Sequence, residues 1–218
     1  MCETTCRKPW TRLRRQRMPE IPETRMTPEI QEAQRAPEKV ETRWTHEKPE
    51  VLEWLSWHYY EKGLECAREG MISAAVGELR KSICYAGDNA QSWKLAGLCF
   101  YRLGRLAMAE YCWTMCLKYG DNDPAVAEYL DDVRKASAKA GAFLEEISGA
   151  ILMKKYGKAA RVFRRNILPV LEGQAGAHDY LGILYVLSGR KKKAAKEWKR
   201  SLTIDRSGMP AARYMANV

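Results

Sequence analysis

Cys112 and Cys116 stand at i and i+4, a spacing that can present two thiolates to one metal ion from a single helix face. Two further ligands are missing from the pattern. No C-x-x-C occurs, and the histidines are His46, His58 and His178 alone. Buried small hydrophobes account better for this pair, and Cys66 and Cys99 likewise fall on a packing face. Cys2 and Cys6 flank nothing that would complete a site. Glu145-Glu146 and Asp131-Asp132 are each adjacent in sequence, so on a helix their carboxylates diverge and look like solvated faces, not an acid and base. Gly176, Gly182 and Gly189 suit helix crossings and turns, not a phosphate-cradling loop. The expectation is a protein without catalysis, metal or cofactor.

The elements that position these residues follow one pattern. Within Trp93–Cys116, Ala96 and Gly97 are small where a first helix meets its partner, and Phe100 lies one turn on. Leu103-Gly104-Arg105 makes a turn, and Ala109, Trp113 and Cys116 mark the inner stripe of a second helix. Shifting by 34 carries Gly97 to Gly63, Gly104 to Gly70, Ala109 to Ala75, Trp113 to Leu79 and Trp93 to Tyr59. Shifting by 85 the other way carries Trp93 to His178, Gly97 to Gly182, Gly104 to Gly189, Ala109 to Ala194, Trp113 to Trp198 and Cys116 to Ser201. That register makes His178 a packing residue and not half of a Cys–His nucleophile.

In chain order, residues 1–49 read as a disordered basic arm. Pro9, Pro19, Pro22, Pro28, Pro37 and Pro49 punctuate it, and few aliphatic residues lie between them. Trp10 and Trp44 are its apolar exceptions, free to dock on the folded body or a partner. Helices are expected over Glu50–Glu69, Ser73–Tyr85, Ala90–Arg102 and Leu106–Tyr119, with Gly70, Gly87, Gly104 and Gly120 at C-termini that call for positive φ. Asp88-Asn89 and Asp121-Asn122-Asp123 supply N-caps, and Pro124 suits a first turn. From Pro124, apolar or small residues fall at Val126, Leu130, Val133, Ser137, Ala140, Leu144, Ile147 and Ile151, an unbroken phase that predicts one helix to about Lys154. A break at Gly141 is the alternative. Lys158–Leu168 should return, ended by Pro169, and Ala175–Ile204 restores the hairpin. Pro210–Asn217 should be a last helix with Ala212, Met215 and Ala216 inward.

This register over helix, turn and helix resembles the tetratricopeptide repeat family, over about residues 50–218. Repeats fall near 56–89, 90–123, 124–174 (irregular, matching poorly) and 175–208, with a cap at 209–218. The resemblance implies an all-α fold, a right-handed α-solenoid of about four helix-turn-helix repeats with a C-terminal capping helix, and a concave groove lined by first helices. Its implied function is a scaffold, adaptor or chaperone-like module that binds a peptide segment of a partner in that groove. Carried over residue by residue, the lining is Trp57, Tyr60, Leu64 and Arg68, then Gln91, Lys94, Leu98, Tyr101 and Arg102. Some members clamp a terminal carboxylate of chaperones with a Lys and an Asn. Tyr60 and Leu64 occupy those places here, so that partner is not implied. The expected partner is a protein or peptide that pairs an apolar anchor with acidic residues.

The chain has 218 residues, 46% of them hydrophobic, with a formal charge of +10. No apolar run approaches the roughly 18 residues of a membrane span. Basic residues near the start precede no hydrophobic segment, so a secretory signal is not expected, and the seven cysteines read as thiols of a reducing compartment, the cytoplasm. Much of the charge sits in two stretches, one holding Lys154, Lys155, Lys158, Arg161 and Arg165, the other Arg190, Lys192, Lys193, Lys196 and Lys199. Both fall on second helices of neighbouring hairpins, so stacking should align them into one outer ridge. Nucleic acid is therefore the rival partner. A related family of 35-residue helical repeats reads single-stranded RNA, although the Trp and Ala landmarks fit the protein-binding type better. Self-association through the ends or the arm is a third possibility.

Overall fold

The computed structural model describes residues 50–121 and 123–217. The expectations for the arm, with Cys2, Cys6, Trp10, Trp44 and His46, and for Asn122 as a cap lie outside the described residues.

Glycine facing indole sets the spacing of the hairpins. A Cβ on Gly97 would lie 2.3 Å from Nε1 of Trp113, and one on Gly182 would lie 2.2 Å from Nε1 of Trp198. Each indole fills the missing side chain's place and donates to the first helix's backbone, Trp113 to the Lys94 carbonyl at 3.2 Å and Trp198 to that of Asp179 at 3.3 Å. Gly63 meets Leu79 in the same way, at 2.8 Å. The three predicted crossings are thus equivalent. They join α1 (Glu50–Arg68) to α2 (Ile72–Tyr85), α3 (Ala90–Arg102) to α4 (Leu106–Lys118), and α8 (Ala175–Leu187) to α9 (Lys191–Ile204).

The turns repeat too. Met71 N donates to Cys66 O, Arg105 N to Phe100 O, Lys155 N to Ala150 O and Arg190 N to Tyr185 O, each a six-residue closure of a first helix. Gly70, Gly104, Gly120 and Gly189 take positive φ as expected, but Gly87 does not. The residue closing α2 is instead extended Ala86, and the Gly87 carbonyl accepts a bond from Trp93 Nε1.

Between the regular hairpins lies α5 (Pro124–Leu152), one helix of 29 residues that runs through Gly141 without a break. Asp123 caps it by accepting from Ala125 N at 2.9 Å. Its N-terminal half gives Val126, Leu130 and Val133 to one core, and its C-terminal half gives Ile147 and Ala150 to a second. The predicted stripe fails in the middle. Ala136 is buried in place of Ser137, and Leu144 is 53% exposed. Alternating steps of three and four drift about 20° per heptad on a straight helix, so a stripe this long leaves the face it started on.

The return helix also differs from expectation. It begins as α6 (Tyr156–Val162), widens into a π turn over Phe163–Ile167, and continues as α7 (Leu168–Leu171). Pro169 does not end it. Leu168 N bonds to Phe163 O, so the ladder has already left its four-residue spacing one step before the proline. At the chain's end α10 (Met209–Ala216) buries Ala211, while Ala212 and Ala216 are exposed and Met215 is half-buried. The inward register is therefore one residue earlier than predicted at Ala212.

Each helix packs on its neighbours in sequence, from α1 against α2 through α9 against α10, and the result is an all-α solenoid of stacked hairpins. The array also meets itself. Asp205, 1% exposed at the end of α9, accepts from Ser73 N at 3.2 Å and Ser73 Oγ at 2.5 Å, at the first turn of α2. Ser207 Oγ accepts from Ala74 N, and Arg206 N donates to Gly70 O. Beside this clasp, a Cβ on Gly176 would lie 2.5 Å from the Leu103 carbonyl, so the second hairpin's turn abuts the start of α8. Among the described residues, no helix is long and apolar enough to cross a membrane.

Candidate binding surfaces

The groups singled out for their chemistry are placed for packing. Cys99, Cys112 and Cys116 are buried, and that burial pushes each thiol up to about 12. Among the described residues, no cluster of His, Cys, Asp and Glu could hold a metal ion. Asp131 pairs with Lys135, and Glu146 with Lys158 at 3.1 Å, on exposed helix faces. His178 is buried as its register requires, but as a polar pair and not as an apolar filler. Its Nδ1 lies 2.9 Å from Glu197 Oε2 and its Nε2 2.9 Å from the Glu172 carbonyl. Two acceptors on one ring favour the imidazolium. The bond to Glu197 raises the His178 pKa above its ordinary value against the opposing cost of burial, and the Glu172 carbonyl adds to the rise.

The residues expected to line a first-helix groove fall into three groups. Trp57, 49% exposed, and Gln91 border one cleft of about 260 Å³ with Glu53, Ser56 and Asn89. Tyr60, Leu64, Leu98 and Tyr101 are half-buried, with Tyr101 tilted against Trp113 at 6.0 Å between ring centroids. Arg68 and Arg102, both exposed, border a second cleft of about 420 Å³, whose far wall is Gly173, Thr203, Ile204 and Arg206 of the returning array. Lys94 stands apart. Its Nζ donates to Asp123 Oδ2 at 2.5 Å and lies 3.3 Å from Asp121 Oδ2, which ties α3 to the start of α5. Trp54, 63% exposed and stacked on His58, extends the aromatic face but escaped the sequence reading, which followed the family's lining positions.

The basic stretches meet in a cleft. Arg161, Arg164 and Arg165, from α6 and the π turn, line a cavity of about 470 Å³ with Arg190, Ala160 and Tyr185. A second cavity of about 190 Å³ shares Arg164 and Tyr185 and adds Lys193, Lys196, Arg200 and Glu197. Lys154, Lys155, Lys192 and Lys199 are exposed but line neither, and Lys158 faces Glu146. Arg164 and Arg200 lie within the two basic stretches, Lys154 to Arg165 and Arg190 to Arg200, but were not singled out there, although i, i+3 spacing from Arg161 and Glu197 pointed to the shared faces.

No family model and no curated protein matches the chain. Among solved structures it is similar to YrrB, described as a TPR protein with an unusual peptide-binding site. The two are 14% identical over 71% of this chain and 89% of that one, with a TM-score of 0.36. The class of protein is set by the chain's own packing: a solenoid of helical hairpins that meets itself through Asp205.

Proposed function

We propose that the chain is a non-catalytic, protein-binding scaffold that captures a partner segment on the first-helix face of its first two hairpins. The observation that carries this is an aromatic face left open near the start of α1, with free guanidinium groups at the far ends of α1 and α3. Trp54 and Trp57 are exposed on α1, Trp57 meets Tyr60 edge-on at 5.4 Å, and Arg68 and Arg102 have no carboxylate partner among the described residues. Aromatic and Arg side chains dominate such interfaces, so the fitting segment is one that carries a large apolar side chain for the aromatic end and Asp or Glu for the arginine end. Tetratricopeptide-like register supports the same reading.

Selection from a random peptide library on the full chain tests it. Acidic residues flanking one aromatic or aliphatic position are expected to enrich. Arg68→Glu with Arg102→Glu should remove the acidic preference, while Trp57→Ala weakens binding overall by about 1–3 kcal/mol. Lys94 is left intact, because its ion pairs hold α3 to α5. Identical selected motifs from wild type and the double variant would sink the assignment.

A further inference from the structure

We propose that the cleft between α6 and α9 is a second binding site, separate from the first-helix face, which grips the phosphodiester backbone of a nucleic acid without reading its bases. The charge there is concentrated and unspent. Arg161, Arg164, Arg165 and Arg190 share one cavity, and none of the four has a carboxylate partner among the described residues. Lys193 and Lys196 carry the same charge into the adjoining cavity. The one carboxylate there, Glu197, is already held by His178 at 2.9 Å and Arg200 at 3.4 Å, so it does not neutralise the cleft.

Two further observations choose the ligand. The apolar part of the lining is slight: Ala160 and Tyr185 are buried, and Leu168 is half-buried. An acidic protein segment would find no pocket for an apolar anchor, which protein interfaces rely on. Tyr185 is 4% exposed, so no aromatic face is offered for a base to stack on. What remains is clustered guanidinium and ammonium, which suits phosphate contact alone. The π turn over Phe163–Ile167 carries Arg164 and Arg165, and such turns are frequent at functional sites.

Fluorescence anisotropy of the full chain tests this with a single-stranded RNA oligonucleotide, duplex DNA and polyglutamate at two salt concentrations. Both nucleic acids should bind at about 50 mM salt with little sequence preference, and RNA affinity should fall steeply with salt, by about 0.7 in log–log slope per phosphate contacted. Arg161→Gln with Arg164→Gln should cost at least about tenfold in RNA affinity and flatten the slope by about 1.4, with the thermal midpoint unchanged. Arg68→Gln with Arg102→Gln, on the other surface, should leave RNA binding as it was, so the two sites fail separately. No nucleic-acid binding at about 50 mM salt, or polyglutamate bound as tightly as RNA, overturns the proposal.

Discussion

His178 shows how one repeat position takes on a different chemistry. Its equivalents Trp93 and Tyr59 are aromatic, and the histidine keeps a flat ring, smaller than either, whose two nitrogens both find acceptors. Glu197 responds in turn. Burial opposes its charge, but the bond from His178 and the nearby Arg200 guanidinium outweigh that and hold the carboxyl below its ordinary value. A raised histidine contributes stability that is complete below its unfolded pKa and lost as pH rises through its higher folded value. The lowered Glu197 acts in the opposite direction and loses its contribution only under acid. The urea midpoint is therefore expected to fall as pH rises from about 6 to about 9. His178→Gln should lack that fall. An equal decline in both proteins would mean that the imidazolium is not the cause. Sequence placed His178 correctly, since its register was repetitive. It did not reveal the polar partner, because Glu197 looked like one surface charge among many on a basic helix.

At the scale of elements, the irregular third repeat is where strain gathers. Four turns end on glycine with φ between 75° and 90°, while the equivalent turn after α5 ends on Lys154 at φ 55°, the sole non-glycine residue with positive φ among those described. The turn still forms the same six-residue closure, with Lys155 N on Ala150 O at 2.8 Å. A Cβ in the left-handed region costs about 1–2 kcal/mol, partly offset by the greater freedom glycine loses on folding. Lys154→Gly should therefore stabilise the chain by about 0.5–1 kcal/mol in chemical denaturation. A loss of stability would show that the Lys154 side chain makes up for its backbone. The extent of α5 was readable because no proline interrupts an apolar phase from Val126 to Ile151. Which residues of that phase are buried was not readable, since α5 joins two cores and its middle serves neither fully.

For the molecule as a whole, the decisive group is Asp205. Ion-pair and cap rules apply within a few residues, and Asp205 after a helix with Ser207 following reads as a local turn, which it also makes through Ser207 N at 3.1 Å. Its long-range role is to accept from both Ser73 N and Ser73 Oγ, 132 residues away, at the start of α2, where the N-cap residue Met71 supplies no side-chain bond. Asp205→Ala should cost about 1–3 kcal/mol, because it leaves the part-buried donors of Ser73 and Ser207 without their acceptor. The amides of Ser73 and Ala74 should exchange with solvent faster, while Trp113 and Lys94 stay protected. Unchanged exchange at Ser73 would mean that the array does not depend on this closure.

Stacked hairpins, their close glycine crossings and most of their turns followed from the amino-acid order alone, because each rests on contacts within one or two repeats and is stated again at a fixed interval. Where the array meets itself, which arginines share the cleft beside Tyr185, and which stretch of α5 faces solvent were decided only in three dimensions. Those outcomes depend on small rotations summed over the long helix and the π turn, and no local pattern encodes that sum.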